Sequence, residues 1–265
     1  MKSRLLETLG RRPILLDAAM GTRLIAQGLN LADDDPALWV INHPLEVLQI
    51  HQADTEAGAE ALLSNTFGAN RFWLDRFGQG PETATINRQA VELARQAIGP
   101  VGFVLGTIGP TASDHPQALR EQAEVLVQSG VDALLLETHS LDQACRSLEL
   151  FRDWPVPILA SLFAWPEPIR DSAHRLIDRG AAAIGANCLN GMGPALDLAR
   201  KLREVTDHPL LIKPSAGLPG SALESPQQFA NAVPELLACG VRLIGGCCGT
   251  SSAHVAAIRK ELGSI

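Results

Sequence analysis

Short apolar runs recur along the whole chain, each closing in small or polar residues. They fall at 14–18 (ILLDA), 61–65 (ALLSN), 102–106 (GFVLG), 133–137 (ALLLE), 157–161 (PILAS), 182–186 (AAIGA), 210–214 (LLIKP) and 242–246 (RLIGG). They show little polar alternation, as expected of parallel strands buried on both faces. Their spacing leaves room for a crossover helix between each pair. Helical periodicity fills the gaps. Over 83–98, Ile86, Ala90, Leu93, Ala94 and Ala97 share one face, with Arg88, Glu92 and Arg95 elsewhere. Ser140 with Gln143, and Ser225 with Gln228, carry capping boxes, and Pro226 takes the favoured first helical position. A last helix is expected from about 253 to 262. Asn42-His43-Pro44 and Gly78-Gln79-Gly80-Pro81 read as turns and helix boundaries.

Eight strand–helix units in a chain of 265 residues match the arithmetic of an α/β fold closed as a single (β/α)8 TIM barrel, which needs about 250. An open doubly wound sheet gives the same local pattern. No Pro/Ser/Gly tract divides the chain, so 1–265 is expected to be one domain.

Composition narrows the chemistry. Apolar residues make up 46% and charged residues 19%, which excludes a disordered chain. A net charge of −7 without any Lys/Arg run argues against nucleic acid or an anionic membrane as partner. No apolar stretch approaches the roughly 18 residues of a membrane span. The charged first twelve residues lack the apolar core of a signal peptide. A cytoplasmic protein is expected. Five cysteines are too few, and odd in number, for a disulfide scaffold.

In a barrel the chemistry sits at the carboxyl ends of the strands. Cys188, Cys247 and Cys248 fall there, while Cys145 and Cys239 lie in helical patterns where a small packed residue suffices. Adjacent Cys247 and Cys248 are badly placed to bridge each other. Flanking glycines let the backbone turn both thiols toward one point. Two descriptions stand at this stage: small packed residues, or a soft three-thiolate metal site with an open fourth position, as in catalytic zinc. Asp17 and Glu137 at strand ends read equally as loop caps or as partners for an ammonium. His139, the one histidine at a strand end, reads as a packing residue or a support for a neighbouring ligand rather than as a metal ligand. Lys213 reads as a solvated or ion-paired lysine, with a Schiff-base lysine as the sharper alternative. The glycines around Cys247 lack the lysine of a phosphate-binding loop.

Asp17-Ala18-Ala19-Met20-Gly21-Thr22, Asn65-Thr66-Phe67-Gly68, Asn187-Cys188 and Gly245-Gly246-Cys247-Cys248-Gly249-Thr250 resemble the homocysteine S-methyltransferase family, from about residue 12 to the end of the chain. Within it, SNTFGAN and KPSAGLP are more similar to the homocysteine module of cobalamin-dependent methionine synthase than to the betaine or S-methylmethionine enzymes. The resemblance implies a zinc-dependent barrel that binds homocysteine as a thiolate and methylates it to methionine. It implies Zn²⁺ on Cys188, Cys247 and Cys248, and Asp17 and Glu137 near the amino group. Asn65 and Ser215 join them as candidate substrate contacts. Alanine stands at 18 where the family has glycine, and serine at 215 where it has asparagine. The donor stays open among a separate methylated corrinoid protein, betaine and a sulfonium, and a single barrel is expected to have it brought from outside. Two alternatives remain: a non-catalytic zinc barrel, and a methyltransferase for another thiol or selenol.

Overall fold

The computed structural model describes residues 3–111, 115–217 and 224–263. Eight strands form one sheet: β1 (Ile14–Leu15), β2 (Ala61–Leu63), β3 (Phe103–Ile108), β4 (Ala133–His139), β5 (Ile158–Leu162), β6 (Ala183–Asn190), β7 (Leu210–Ser215) and β8 (Val241–Ile244). Every pairing is parallel, in the order β1-β8-β7-β6-β5-β4-β3-β2. The two ends meet. Leu16 bridges Ala61, and Glu60 N–H donates to the Leu15 carbonyl at 2.8 Å. Closure decides for the (β/α)8 barrel over the open sheet.

Period-two alternation explains the uninterrupted apolar runs. Leu16, Leu63, Leu105, Leu135, Leu159 and Leu211 belong to the barrel interior. Their neighbours Leu15, Leu62, Val104, Leu134, Leu136 and Ile212 pack outward against the helices. Helix Arg4–Leu9 stops the amino-terminal end, because Leu5 and Leu9 join the interior cluster. Arg4 lies 4.0 Å over the Phe103 ring and donates to the Val101 and Gly102 carbonyls, which fastens that stopper.

The helix expected over 83–98 forms as Thr83–Ile98, with Ile86, Ala90, Leu93 and Ala94 buried and Ala97 partly so. Both predicted capping boxes are present, and Ser251 makes a third with His254 as the helix Ser252–Leu262 starts. Pro44 opens the helix Pro44–Glu56, and Gly78 is left-handed at φ 69°, so both turn readings agree with the backbone.

Strand ends differ from the sequence reading in a systematic way. β4 and β6 run past 137 and 186, each with a register shift near its end. The shifts coincide with left-handed backbone at Thr138 (φ 62°) and Cys188 (φ 59°), and Asn65 (φ 56°) follows β2 in the same conformation. Such residues other than glycine are uncommon and gather at functional sites. Gly185 lets β6 lie close to β7, since a Cβ there would come within 1.6 Å of the Leu211 carbonyl oxygen.

Candidate functional site

The inward phase of each strand carries on past the apolar interior. Two residues beyond Leu135 stands Glu137, beyond Leu159 Ser161, and beyond Leu211 Lys213, while Asn187 follows Gly185. All four are buried. The barrel's mouth is therefore floored by polar groups.

Cys188 comes from the left-handed turn in β6. Cys247 and Cys248 come from the loop after β8, which is pinned on both sides. Gly246 N–H donates to the Asp17 carbonyl at 3.0 Å, Cys247 N–H to Pro214 at 2.8 Å, and Ala216 N–H to Cys248 at 2.8 Å. Thr250 Oγ1 donates to the Cys247 carbonyl at 2.6 Å and accepts from Ala19 N–H at 3.0 Å. Gly245 is required here, because a Cβ would sit 2.7 Å from Leu16 Cβ and 2.8 Å from the Asp17 carbonyl oxygen.

The three sulfurs converge. Cys188 Sγ lies 3.1 Å from Cys247 Sγ, and all three lie within 4.8 Å of one another. Sulfurs on a tetrahedral zinc, each about 2.3 Å from the metal, stand roughly 3.8 Å apart. The thiols fit that ion in kind and number, with Cys188 and Cys247 closer together than that spacing. They are also the one such group of His, Cys, Asp or Glu among the described residues. Crowding polarises them: hydrogen bonds from Cys188 and Cys247 pull the Cys248 thiol down to about 3, and the Cys188 thiol is correspondingly pushed up. Ser215 adds a hydrogen bond to Cys248. Cys145 and Cys239 are buried on the helical layer, outside this cluster, as expected of packing residues.

Asn187 stands in a motif that carries the family resemblance, but the sequence alone gives its side chain no role. Its Oδ1 accepts from Thr138 N–H at 3.0 Å and Ser161 Oγ at 2.6 Å. Its Nδ2 donates to Thr138 Oγ1 at 2.7 Å and Cys188 Sγ at 3.2 Å. One amide thus holds a left-handed threonine and orients a thiol, the outer-shell support that metal ligands need.

Of the acidic candidates, Glu137 feels the thiol of Cys247, and both Glu137 and Asp17 feel Lys213. Asp17 Oδ2 accepts from Leu63 N–H at 2.7 Å, whereas its buried Oδ1 has no partner. Burial pushes the Asp17 carboxyl up to about 7, with Lys213 pulling against it. Glu137 Oε1 accepts from Lys213 Nζ at 2.9 Å. Burial raises Glu137, and Lys213 offsets that. Burial would pull Lys213 down, but Glu137 and Asp17 beside it push the ammonium above the ordinary lysine range. A lysine held charged has no lone pair for a Schiff base, so Lys213 is ion-paired and buried rather than solvated. Asn65 Nδ2 donates to the Pro36 carbonyl at 2.8 Å, which ties the end of β2 to the loop after β1. Ala18 is buried, and its N–H donates to Asp54 Oδ2 at 3.1 Å. Arg23 grips both oxygens of that Asp54, with Nη1 at 2.8 Å from Oδ1.

His139 packs as expected. Its Nδ1–H donates to the Glu137 carbonyl at 3.1 Å, and burial drives the imidazole down to about 4. It lines a cavity of about 270 Å³ between helices Pro116–Gln128 and Leu141–Leu150, which includes none of the thiols or mouth carboxylates. Leu218 and Pro219 of the KPSAGLP run lie outside the described residues.

Known proteins agree with this architecture. Methionine synthase of Mycobacterium tuberculosis (strain ATCC 25618 / H37Rv) is 29% identical over 308 aligned positions, covering 98% of this chain and 25% of that protein. Methionine synthase of Mycobacterium leprae (strain TN) is 29% identical over 298, covering 95% and 24%. The chain spans about a quarter of the length of these curated relatives. The metallated form of the homocysteine methyltransferase MmuM from Escherichia coli superposes with a TM-score of 0.81 at 27% identity, covering 97% of this chain and 98% of that one. Its oxidized form gives 0.82 at 26% identity, covering 95% and 97%. The family model described as homocysteine S-methyltransferase matches residues 14–262. A match that runs from the first strand to the last helix supports one assignment: the chain belongs to the homocysteine S-methyltransferase family.

Proposed function

We propose that this barrel, residues 1–265 acting as one unit, transfers a methyl group to the sulfur of homocysteine to give methionine, with Zn²⁺ held by Cys188, Cys247 and Cys248. The observation that carries the reading is the convergence of three thiols from two strand ends, separated by 59 residues in sequence. Glu137 and Lys213 both feel the charge on Cys247. An ordinary thiol, with a pKa near 8.5, is mostly protonated at neutral pH. Bound zinc supplies the Lewis acidity that ionises the acceptor thiol.

The chain's own residues orient the reaction. Asn187 and Ser215 hydrogen-bond two of the three thiols and fix their directions. Asp17 and Glu137 take the acceptor's ammonium, with the unpartnered Asp17 Oδ1 as the open acceptor. Asn65 and Ser215 form the adjoining walls of the pocket. Fixing the acceptor sulfur makes the displacement effectively unimolecular. A sulfur–carbon bond forms while the donor–methyl bond breaks, and its electron pair leaves with the donor. The product is a neutral thioether, which the thiol-binding position holds less strongly than a thiolate. The donor is a methylated corrinoid protein, betaine or a sulfonium such as S-methylmethionine. The setting is cytoplasmic, where thiols stay reduced. Among the described residues no helix is long and apolar enough to cross a membrane.

The test is zinc content of the reduced protein, then the metal's spectroscopic response to homocysteine, then turnover with each donor class. One equivalent of zinc, a new metal–sulfur bond on adding homocysteine and methionine formation with one donor support the reading. Zinc without any response to the thiol indicates a non-catalytic zinc barrel. Absence of zinc binding, or normal zinc binding and turnover in Cys247→Ala, overturns the site assignment.

A further inference from the structure

Opposite charges at the floor of the mouth are left incompletely matched. Lys213 is buried on β7, and an ammonium carries three donors. Among the described residues its one hydrogen-bond and ion-pair partner is Glu137 Oε1, at 2.9 Å. Two donors therefore have no acceptor among the described residues. Asp17, whose charge Lys213 feels, is not ion-paired with it and keeps Oδ1 buried without a partner. Unmatched buried donors and acceptors of this kind are costly, most of all on charged groups. Lys213 and Glu137 stand beside the thiol cluster, since Cys247 acts on both.

Counting open groups sharpens the point. Glu137 takes one Lys213 donor and leaves the others open, while Asp17 keeps one open oxygen. An acceptor carrying only an ammonium would fill Asp17 Oδ1 and leave the Lys213 donors unfilled. An acceptor carrying only a carboxylate would do the reverse. The head group of an α-amino acid supplies both, in the order that alternates sign from Glu137 through Lys213 to Asp17.

We propose that Lys213 is a specificity-determining residue whose free N–H donors take the carboxylate of a thiol amino acid, while Asp17 Oδ1 takes its ammonium. This rests on the barrel's reading as a thiol methyltransferase and names the head group its mouth selects. Lys213 acts here as a fixed cation, and Glu137 is what holds it in place.

The test uses the zinc- or cobalt-loaded protein and three thiols of equal reach: homocysteine, 3-mercaptopropylamine without the carboxylate, and 4-mercaptobutyrate without the ammonium. Binding is read by calorimetry and by the cobalt–thiolate absorption. The wild type should bind homocysteine about tenfold to a hundredfold more tightly than 3-mercaptopropylamine, the worth of a charge-assisted hydrogen bond. Lys213→Gln, which retains an N–H donor for Glu137, should weaken homocysteine and 4-mercaptobutyrate by that factor and leave 3-mercaptopropylamine unchanged. If the ratio of homocysteine to 3-mercaptopropylamine is the same in both proteins, Lys213 does not read the carboxylate. If Lys213→Gln does not fold, the wild-type ratio alone decides, and a ratio near one overturns the proposal. Failure of the wild type to bind any of the three thiols at the metal overturns the methyltransferase reading instead, and this inference with it.

Discussion

Truncating Asn187 to alanine removes four side-chain hydrogen bonds at once: two from Thr138 and Ser161 to its oxygen, and two from its nitrogen to Thr138 and Cys188. A neutral hydrogen bond contributes about 0.5–1.5 kcal/mol, and a stranded buried donor costs about 1–3 kcal/mol. The Ser161 hydroxyl can rotate to another acceptor, but the Thr138 N–H is fixed by its backbone. Thr138 is also left-handed, a conformation that costs of order 1–3 kcal/mol and persists only where its surroundings enforce it. Together these put the loss at about 4 kcal/mol, or roughly 10 °C in melting temperature for a chain of this size. Cys188 loses its orienting donor in the same step, so zinc affinity should fall about 10- to 100-fold. The assay pairs urea unfolding of reduced, metal-free Asn187→Ala with zinc competition against a chromophoric chelator. Asn187→Asp separates the two effects. It keeps the acceptor for Thr138 and Ser161 but turns a carboxylate oxygen toward Cys188, so zinc binding should fall at least as far as in the alanine variant. Stability within about 1 kcal/mol of the wild type, with unchanged zinc affinity, would refute the account of Asn187 as the clamp.

Gly185→Ala should cost more than about 4 kcal/mol or prevent accumulation of folded protein, because the neighbouring strand's backbone must move. Gly193→Ala, with nothing within 4 Å of its Cβ, should be neutral or mildly stabilising, and equal losses in the two variants would undo the close-approach argument. His51 is fully buried with neither ring nitrogen partnered among the described residues, and burial takes it down to about 3. A histidine depressed below its unfolded value contributes stability above about pH 6.5 that is lost as pH falls. His51 should therefore contribute about 2 kcal/mol less at pH 5 than at pH 7.5, read as the difference between the pH slopes of the wild type and His51→Phe. Asp17, raised to about 7, works the other way: the stability of its protonated form is lost as pH rises from near 4 through 7. Ligand-free Asp17→Asn should therefore be at least as stable as the wild type at pH 8. Its acceptor KM should rise about 10- to 100-fold there, and the fall in wild-type KM through pH 7 should disappear. A KM that still falls through pH 7 in the variant would assign that titration to another group.

The barrel could be read from sequence because strands buried on both faces leave the same trace, an unbroken apolar run, wherever they lie. The thiols could be read because strand ends converge in a barrel however far apart they are in the chain. The ends themselves were harder. At Thr138 and Cys188 the backbone turns left-handed while hydrogen bonding continues, and nothing in their side chains announces it. Asn187 and Lys213 needed the inward phase of β6 and β7, which Leu211 sets for Lys213 but which only register fixes for Asn187. Arg23, His51 and Asp54 left no usable signal. Helix Pro44–Glu56 buries a histidine and an aspartate where an amphipathic pattern calls for apolar residues, and the salt bridge to Arg23 is satisfied only in three dimensions.

The pinned loop after β8 and the turned end of β6 have a consequence for how the protein would handle the proposed metal. The contacts that set these segments run to Asp17, Pro214, Ala216, Asn187 and Thr250, through backbone and side-chain hydrogen bonds made by the barrel itself. A zinc finger folds around its metal and collapses without it. Here the barrel itself sets the socket. Under the proposed zinc site, the ion would leave and return without refolding between visits, and occupancy would follow the free zinc around the protein. Zinc starvation would then leave a folded, idle pool of this barrel.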